Sequence, residues 1–309
     1  MSESVTVVLN QALIFFLFMA VGFILCKTKV AHDKFGKVLS QVLLYVILPA
    51  LRFKTFAQSV SKDTIAGSMK YFICGLILTV VMFLIAMPMG KAFSKNSDTI
   101  NIYRYALCVP NIGYFGYPMM SAVFGEQALA NTMVFTLPLE VFIYTVALYM
   151  LDPQKKLSLK KLINPKIVSV ILGIAAGLME IKIPQLLLDA CNSASVCMSP
   201  LAMIMTGFIL GGIPLKRVIA APKPYIVSGW RLIIIPALLF GILWLIGVDK
   251  EVVIVATAMY AMPVGLNAVI FPEAYGGDSK TGAQVCFIST ILALITLPIV
   301  FWAMQMLVK

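Results

Sequence analysis

The sequence predicts an all-α membrane protein with ten transmembrane helices in two inverted five-helix repeats. Hydrophobic residues make up 61% of the 309 positions and charged residues only 12%, whereas soluble domains are about half apolar and a quarter charged. The apolar residues also form long blocks, and the two halves of the chain match each other. We predict that residues 1–309 form a single transmembrane unit.

The apolar blocks set the positions of the spans, because a spanning helix needs roughly 20 apolar residues. We predict spans at 5–26, 36–57, 68–92, 101–124, 128–150, 164–181, 194–213, 223–247, 251–274 and 281–307. The first is predicted to be a span and not a signal peptide, because no basic leader precedes it and no small-residue cleavage site follows.

The distribution of basic residues predicts the orientation. Of the 24 Lys and Arg residues, 16 lie in odd-numbered loops, including 27–37 and 152–163. Excess Lys and Arg mark cytoplasmic loops, so both termini are predicted to lie outside the cytoplasm, in a multi-pass protein of the plasma membrane. The net charge of +11 therefore reflects which loops face the cytoplasm. We predict the lipid bilayer as a partner and no nucleic-acid partner.

Short matches in the same order relate residues 1–154 to residues 155–309. They pair Leu9-Asn10 with Ile163-Asn164, Pro49 with Pro200, Tyr71 with Tyr225, Pro110 with Pro263, and Leu137-Pro138 with Leu297-Pro298. Each half holds five spans, an odd number, so the second half enters the membrane from the opposite side. This is the inverted repeat common in secondary transporters.

The fourth and ninth spans each contain helix breakers beside an asparagine. Proline removes a backbone donor, and the freed groups cannot face lipid, so they must line a protein cavity. We predict a binding site where the two broken helices cross. It consists of Pro110, Asn111, Gly113, Pro263, Gly265 and Asn267. Half-helix N-termini favour an anion there; the alternative is that each proline only kinks its helix.

Charged residues within spans are functional candidates, because they are costly in a bilayer. Glu140 in the fifth span is predicted either to relay a coupling proton or to pair with a basic residue. Arg231 is expected to snorkel to the cytoplasmic surface. Arg52 and Lys54 are expected to anchor the outer end of the second span.

These patterns resemble the auxin efflux carrier family, in its short-loop bacterial form, over essentially the whole chain. The resemblance is carried by Arg104, the stretch Pro110–Pro118, the stretch Pro263–Asn267, Tyr275-Gly276-Gly277-Asp278, Leu297-Pro298, and Arg231 followed by Pro236. It implies a crossover of spans four and nine, with Asn111, Asn267, Pro110 and Pro263 forming its site. It also implies a transport domain that moves against a scaffold of spans one, two, six and seven.

Members of that family export or exchange organic anions, such as auxin in plants and malate or malonate in bacteria. Plant members have a long hydrophilic central loop, where this chain has the short basic linker 152–163, and a different ninth-span pattern. These differences put an indole substrate in doubt.

The resulting hypothesis is a secondary transporter of small mono- or dicarboxylates that works by alternating access. A sodium- or proton-coupled exchanger of the same fold and a membrane ligand receptor stay open as alternatives. No nucleophile motif, phosphate loop or dinucleotide fingerprint occurs, and the six cysteines lack metal-site spacing. We therefore expect neither an enzyme nor a cofactor. A homodimer through the scaffold helices is compatible with this plan.

Overall fold

A computed structural model describes residues 3–60, 69–152 and 165–308. Within these residues the protein is all-helical, and the only extended pairing is one isolated antiparallel bridge. The boundary between the predicted halves, nearly all of the linker 152–163, and Lys62 lie outside the described residues.

The described helices overlap each predicted span, and two of the predicted spans are divided into two helices. They are α1 (Glu3–Lys27), α2 (35–59), α3 (Met69–Phe93), α4 (Ser97–Cys108), α5 (112–124), α6 (126–151), α7 (Pro165–Leu178), α8 (185–211), α9 (Leu215–Ala220), α10 (222–245), α11 (Lys250–Tyr260), α12 (Asn267–Tyr275) and α13 (Ser279–Val308). Gly125 separates α5 from α6, because its φ of 83° and ψ of 177° are not helical.

Six of the described helices are long and apolar enough to cross a membrane. They are Phe35–Gln58, Met69–Phe93, Gln127–Leu151, Gln185–Gly211, Pro222–Leu245 and Ser279–Met304. Large apolar side chains such as Ile77 and Leu84 stand exposed on α3, as expected where lipid and not water is the solvent. The predicted span at 194–213 was too short at its start, because the helix already begins after Pro184.

Two of the long helices widen into a π-helical turn just before a proline. The turn Leu43–Ile47 precedes Pro49 in α2, and the turn Trp230–Ile234 precedes Pro236 in α10. A wider turn accommodates a residue that lacks the N–H of the helical ladder. Both helices therefore continue through their prolines.

Glycines allow close contact within several helix pairs, among them α1 with α8 and α2 with α7. A Cβ atom on Gly22 of α1 would collide with the Ile204 carbonyl of α8, and one on Gly207 of α8 would collide with the Met19 carbonyl of α1. Gly177 of α7 approaches the Val60 carbonyl, just after α2, in the same way. Small residues at such contacts are the usual basis of tight helix packing in membranes.

Candidate functional site

The breaks between α4 and α5 and between α11 and α12 contact each other in the interior, and this contact is named the crossing. The backbone N–H of Asn111 donates to the Pro263 carbonyl at 2.8 Å, and the N–H of Gly265 donates to the Val109 carbonyl at 3.1 Å. The two segments thus pair as a single antiparallel bridge, Pro110 to Val264. Each break supplies hydrogen-bond partners for backbone groups that the other break has freed from its helix. Backbone groups in a membrane interior need such partners, because no water is present to hydrogen-bond them.

The glycine of the second break permits this close approach. A Cβ atom on Gly265 would lie 3.0 Å from the Pro110 carbonyl oxygen and 3.1 Å from the Tyr105 hydroxyl. The neighbouring N–H of Val264 donates to Ser289 Oγ of α13 at 3.1 Å. A larger residue at position 265 would therefore push the two breaks apart.

Arg231 joins the C-terminal ends of α4 and α11, the two half-helices that precede the breaks. Its side chain is fully buried. Its Nε donates to the Met262 carbonyl at 3.2 Å, just beyond α11, and its Nη1 donates to the Leu107 carbonyl in the last turn of α4 at 2.9 Å. The guanidinium also lies 5.2 Å from the centre of the Tyr260 ring. The expectation that Arg231 snorkels to the surface is wrong, because these buried carbonyls hold it at the crossing.

The side chains of Asn111 and Asn267 are both buried at the breaks. The hydroxyls of Tyr105 and Tyr144 face Asn267. The Tyr105 hydroxyl is nevertheless buried without a hydrogen bond of normal geometry to any described residue, and the same holds for Arg231 Nη2. Two unsatisfied donors thus lie at the crossing, where buried polar groups normally have partners.

The remaining predicted site residues also lie at the breaks. Pro110 and Pro263 are buried within them, and Gly113 stands in the first turn of α5. Among the described residues, a Cβ atom on Gly113 would meet no neighbouring atom within 4 Å. The described residues therefore leave space beside the start of α5.

Glu140 pairs with a basic residue, which was one of the two predicted roles for it. Its Oε1 lies 2.6 Å from Arg52 Nη1 in an ion pair whose side chains are almost fully buried. The same oxygen accepts from the Tyr117 hydroxyl at 2.8 Å. Arg52 Nε in turn donates to the Tyr144 hydroxyl at 3.0 Å. The expectation that Arg52 is a surface anchor is therefore wrong.

The described residues contain no group of three His, Cys, Asp or Glu side chains that could hold a metal ion. The polar groups at the crossing are amides, hydroxyls, backbone groups and one guanidinium. This donor set suits recognition of a small polar molecule rather than a metal centre.

Residues 7–301 match the model of a family described as membrane transport proteins. The chain belongs to this family of auxin efflux carrier type. This membrane transporter is 26% identical to a protein of Methanocaldococcus jannaschii named "Uncharacterized transporter", over 95% of its own length and 98% of the relative. It is 24% identical to a protein of Rhizobium meliloti named "Putative malonate transporter", over 84% and 83% of the two chains. These findings indicate a transporter rather than an enzyme.

Sequence reasoning missed three groups in the interior of the transporter: the Arg231 guanidinium as a partner of both half-helices, the Tyr105 hydroxyl, and the link from Arg52 to Tyr144. A signal was available for the two arginines, since ionisable residues within spans usually face the interior of the bundle. The partners of these arginines could not be predicted from the sequence, because Arg231 and Leu107 are 124 residues apart and Arg52 and Tyr144 are 92 residues apart.

Proposed function

We propose that this protein is a secondary transporter of small organic anions, mono- or dicarboxylates. It would carry them across the cell membrane by alternating access around the crossing of the two broken helices. The anion would bind Asn111 and Asn267, helped by the N-termini of α5 and α12 and by the space beside Gly113.

The placement of Arg231 is the observation that carries this proposal. Each helix end bears roughly half an elementary charge, positive at the N-terminus and negative at the C-terminus. Two half-helices end at the crossing and two begin there, so the four ends alone would roughly cancel. Arg231 donates to the carbonyls at both negative ends and offsets their charge. About one positive charge is then left at the N-termini of α5 and α12, which favours an anion.

The two buried groups that lack hydrogen-bond partners also favour an anion. The Tyr105 hydroxyl and Arg231 Nη2 both offer hydrogens, and a carboxylate oxygen accepts them. A cation would need carboxylates at the crossing, and no described carboxylate lies within ion-pair distance of Arg231. This charge balance disfavours the cation exchanger. The name of the Rhizobium meliloti relative, which mentions malonate, supports a carboxylate.

The helix packing supports ten spans in two inverted five-helix repeats, 1–154 and 155–309. In the proposed repeat, span one corresponds to span six and span two corresponds to span seven. The contact between spans one and seven should therefore have a counterpart between spans six and two. The glycine-mediated contacts of α1 with α8 and of α7 with α2 follow this rule. Spans one, two, six and seven would then form the scaffold, the surface through which a homodimer is also proposed. Both termini would lie outside the cytoplasm.

A screen of small anions tests the proposal. Purified protein is heated with malonate, succinate, acetate and propionate, with malonamide as an uncharged control and ethylenediamine as a cationic one. A ligand present at a hundred times its dissociation constant stabilises a folded protein by about 2.7 kcal/mol. We expect a raised melting temperature with one or more carboxylates only. Stabilisation by the diamine and by no carboxylate would contradict an anion site.

A further inference from the structure

A cleft of about 330 Å³ opens between α10 and α13. Its walls include Leu232, Ile233, Pro236 and Phe240 of α10 and Ile299 and Val300 of α13. Both helices are long and apolar enough to cross a membrane, and the side chains of Ile233 and Ile299 are more than half exposed. The cleft therefore opens toward lipid.

The cleft follows the second halves of the two helices. The first part of α10, Pro222–Gly229, packs against α13, whereas the last part, Ile235–Leu245, hardly contacts it. The change occurs across the π-helical turn Trp230–Ile234 and Pro236, the kinds of feature at which long helices bend. In the proposed orientation both second halves lie in the outer half of the bilayer, so the cleft runs in the direction of a lipid chain.

The matching helices of the first half of the chain pack more closely. Gly75 of α3 and Gly229 of α10 correspond in the two halves, four residues after Tyr71 and Tyr225. A Cβ atom on Gly75 would collide with the Phe135 carbonyl of α6, so the two backbones touch there. A Cβ atom on Gly229 would meet no neighbouring atom of the described residues within 4 Å. The glycine contact that holds α3 against α6 therefore has no described counterpart in α10.

Two threonines contribute carbon atoms, and not their hydroxyls, to the surface of the cleft. Threonines in these helices commonly donate to the carbonyl four residues earlier, as Thr79, Thr206 and Thr290 do. The hydroxyls of Thr257 in α11 and Thr296 in α13 are buried and make no hydrogen bond with any described residue. Both residues line the cleft, so a molecule inside it would contact carbon almost exclusively. Such a surface suits a hydrocarbon chain.

We propose that this cleft binds one acyl chain of a membrane phospholipid. Dispersion contacts drive the binding, because a chain that enters the cleft gains neighbouring atoms on several sides. A helix of a second copy is about 10 Å across and would only cover the cleft, whereas a flexible chain fills it. The chain would lie along the second halves of α10 and α13, with the phospholipid head group near their C-terminal ends.

Tryptophan fluorescence provides the test, because all three tryptophans of the chain lie on these two helices. Trp244 stacks on Phe240 of the cleft wall, with the ring centroids 5.8 Å apart. In a Trp230→Phe/Trp302→Phe background, the protein in a short-chain detergent is titrated with palmitoyl-dibromostearoyl phosphatidylcholine, whose bromines quench a nearby indole. We expect quenching that saturates at equimolar lipid and that the same lipid without bromine reverses.

A matched pair of variants places one aromatic ring inside or outside the cleft. Ala237 and Leu238 are both exposed on α10, but only Ala237 lines the cleft. Ala237→Phe should weaken the saturable binding at least about tenfold, and Leu238→Phe should leave it unchanged. Ala303→Phe fills the same space from α13 and replaces Ala237→Phe if that variant does not fold.

The double variant Thr257→Val/Thr296→Val tests the chemistry of the wall. It should bind the lipid as the wild type does, because an acyl chain uses no hydroxyl; lost binding would assign the cleft to a polar ligand and overturn the proposal. Quenching that does not saturate would also overturn it, as would equal affinity in the folded Ala237→Phe and Leu238→Phe variants. A dimer that Ala237→Phe converts to a monomer, measured by light scattering, would assign the cleft to a second copy instead.

Discussion

At the scale of single residues, Arg231 combines a structural and an electrostatic role. It donates to a carbonyl at the end of α4 and to another just beyond α11, so it ties two half-helices together. It also offsets the negative ends of both. Lysine has the same charge, but its compact ammonium lacks the rigid fork of donors that spans two fixed acceptors.

Substitution separates these roles. Arg231→Met removes the charge and leaves two buried carbonyls without a donor, at a cost of about 1–3 kcal/mol each. Both stability and carboxylate affinity should fall, the latter by at least about tenfold. Arg231→Lys should lower the melting temperature but keep most of the anion binding. Thermal melting and ligand titration in detergent measure the two effects.

The opposite pattern for these two variants would contradict the electrostatic role. If Arg231→Met elutes as a single species and binds carboxylates as the wild type does, the anion preference does not come from this guanidinium.

The residue scale is also where prediction from sequence was weakest. Composition and the cost of buried charge single out Arg52, Glu140 and Arg231, but distance from the end of a span does not tell whether an arginine faces lipid, water or another helix. Arg52 and Arg231 were both assigned to the membrane surface and both are buried. Their partners come from other helices, and only the packing of those helices brings them together.

At the scale of elements, the two breaks were predictable because proline and glycine act locally. Pro110 and Pro263 interrupt their helices for the chemical reason that applies to any proline, and the helices do end nearby, at Cys108 and Tyr260. Local chemistry does not specify that the two breaks pair with each other. The bridge between them depends on tertiary packing, which a single sequence does not display.

The glycines of the two breaks should respond differently to substitution. Gly265→Ala places a methyl group about as close as contacts allow to the Pro110 carbonyl and the Tyr105 hydroxyl, at 3.0 and 3.1 Å, so it should lower the melting temperature. Gly113→Ala meets no neighbouring atom of the described residues within 4 Å and gains helix propensity, so its melting temperature should not fall. Equal destabilisation of both variants would mean that the crossing does not constrain position 265.

At the scale of the whole molecule, the inverted-repeat plan determines which loops share a side of the membrane. Lys34 lies in the first loop and Lys182 in the sixth, and both are exposed. We predict that Lys34→Cys is cytoplasmic and Lys182→Cys is not, because an odd-numbered and an even-numbered loop must face opposite sides.

Labelling with a membrane-impermeant thiol reagent in intact cells checks this prediction, after the six native cysteines are replaced. Lys182→Cys should react, and Lys34→Cys should react only after the membrane is permeabilised. Reaction of Lys34→Cys from outside would contradict the orientation, and reaction of both from the same side would contradict the span count between them.

The central claim is that the crossing of the two broken helices binds the carboxylate of the substrate. The most direct measurement is the affinity of the purified protein for a carboxylate before and after Asn111→Ala and Asn267→Ala. Losing one hydrogen bond to a charged group costs about 1.5–3 kcal/mol, so each variant should bind roughly ten- to a hundredfold more weakly.

Asn131→Ala is the matched control for this titration. Its buried amide bonds to the Tyr71 hydroxyl at 3.0 Å and takes no part in the proposed site, so its affinity should equal that of the wild type. The account predicts weaker binding in the two crossing variants alone. Wild-type affinity in both Asn111→Ala and Asn267→Ala, with the proteins folded and monodisperse, would show that the anion binds elsewhere and that the breaks are only kinks.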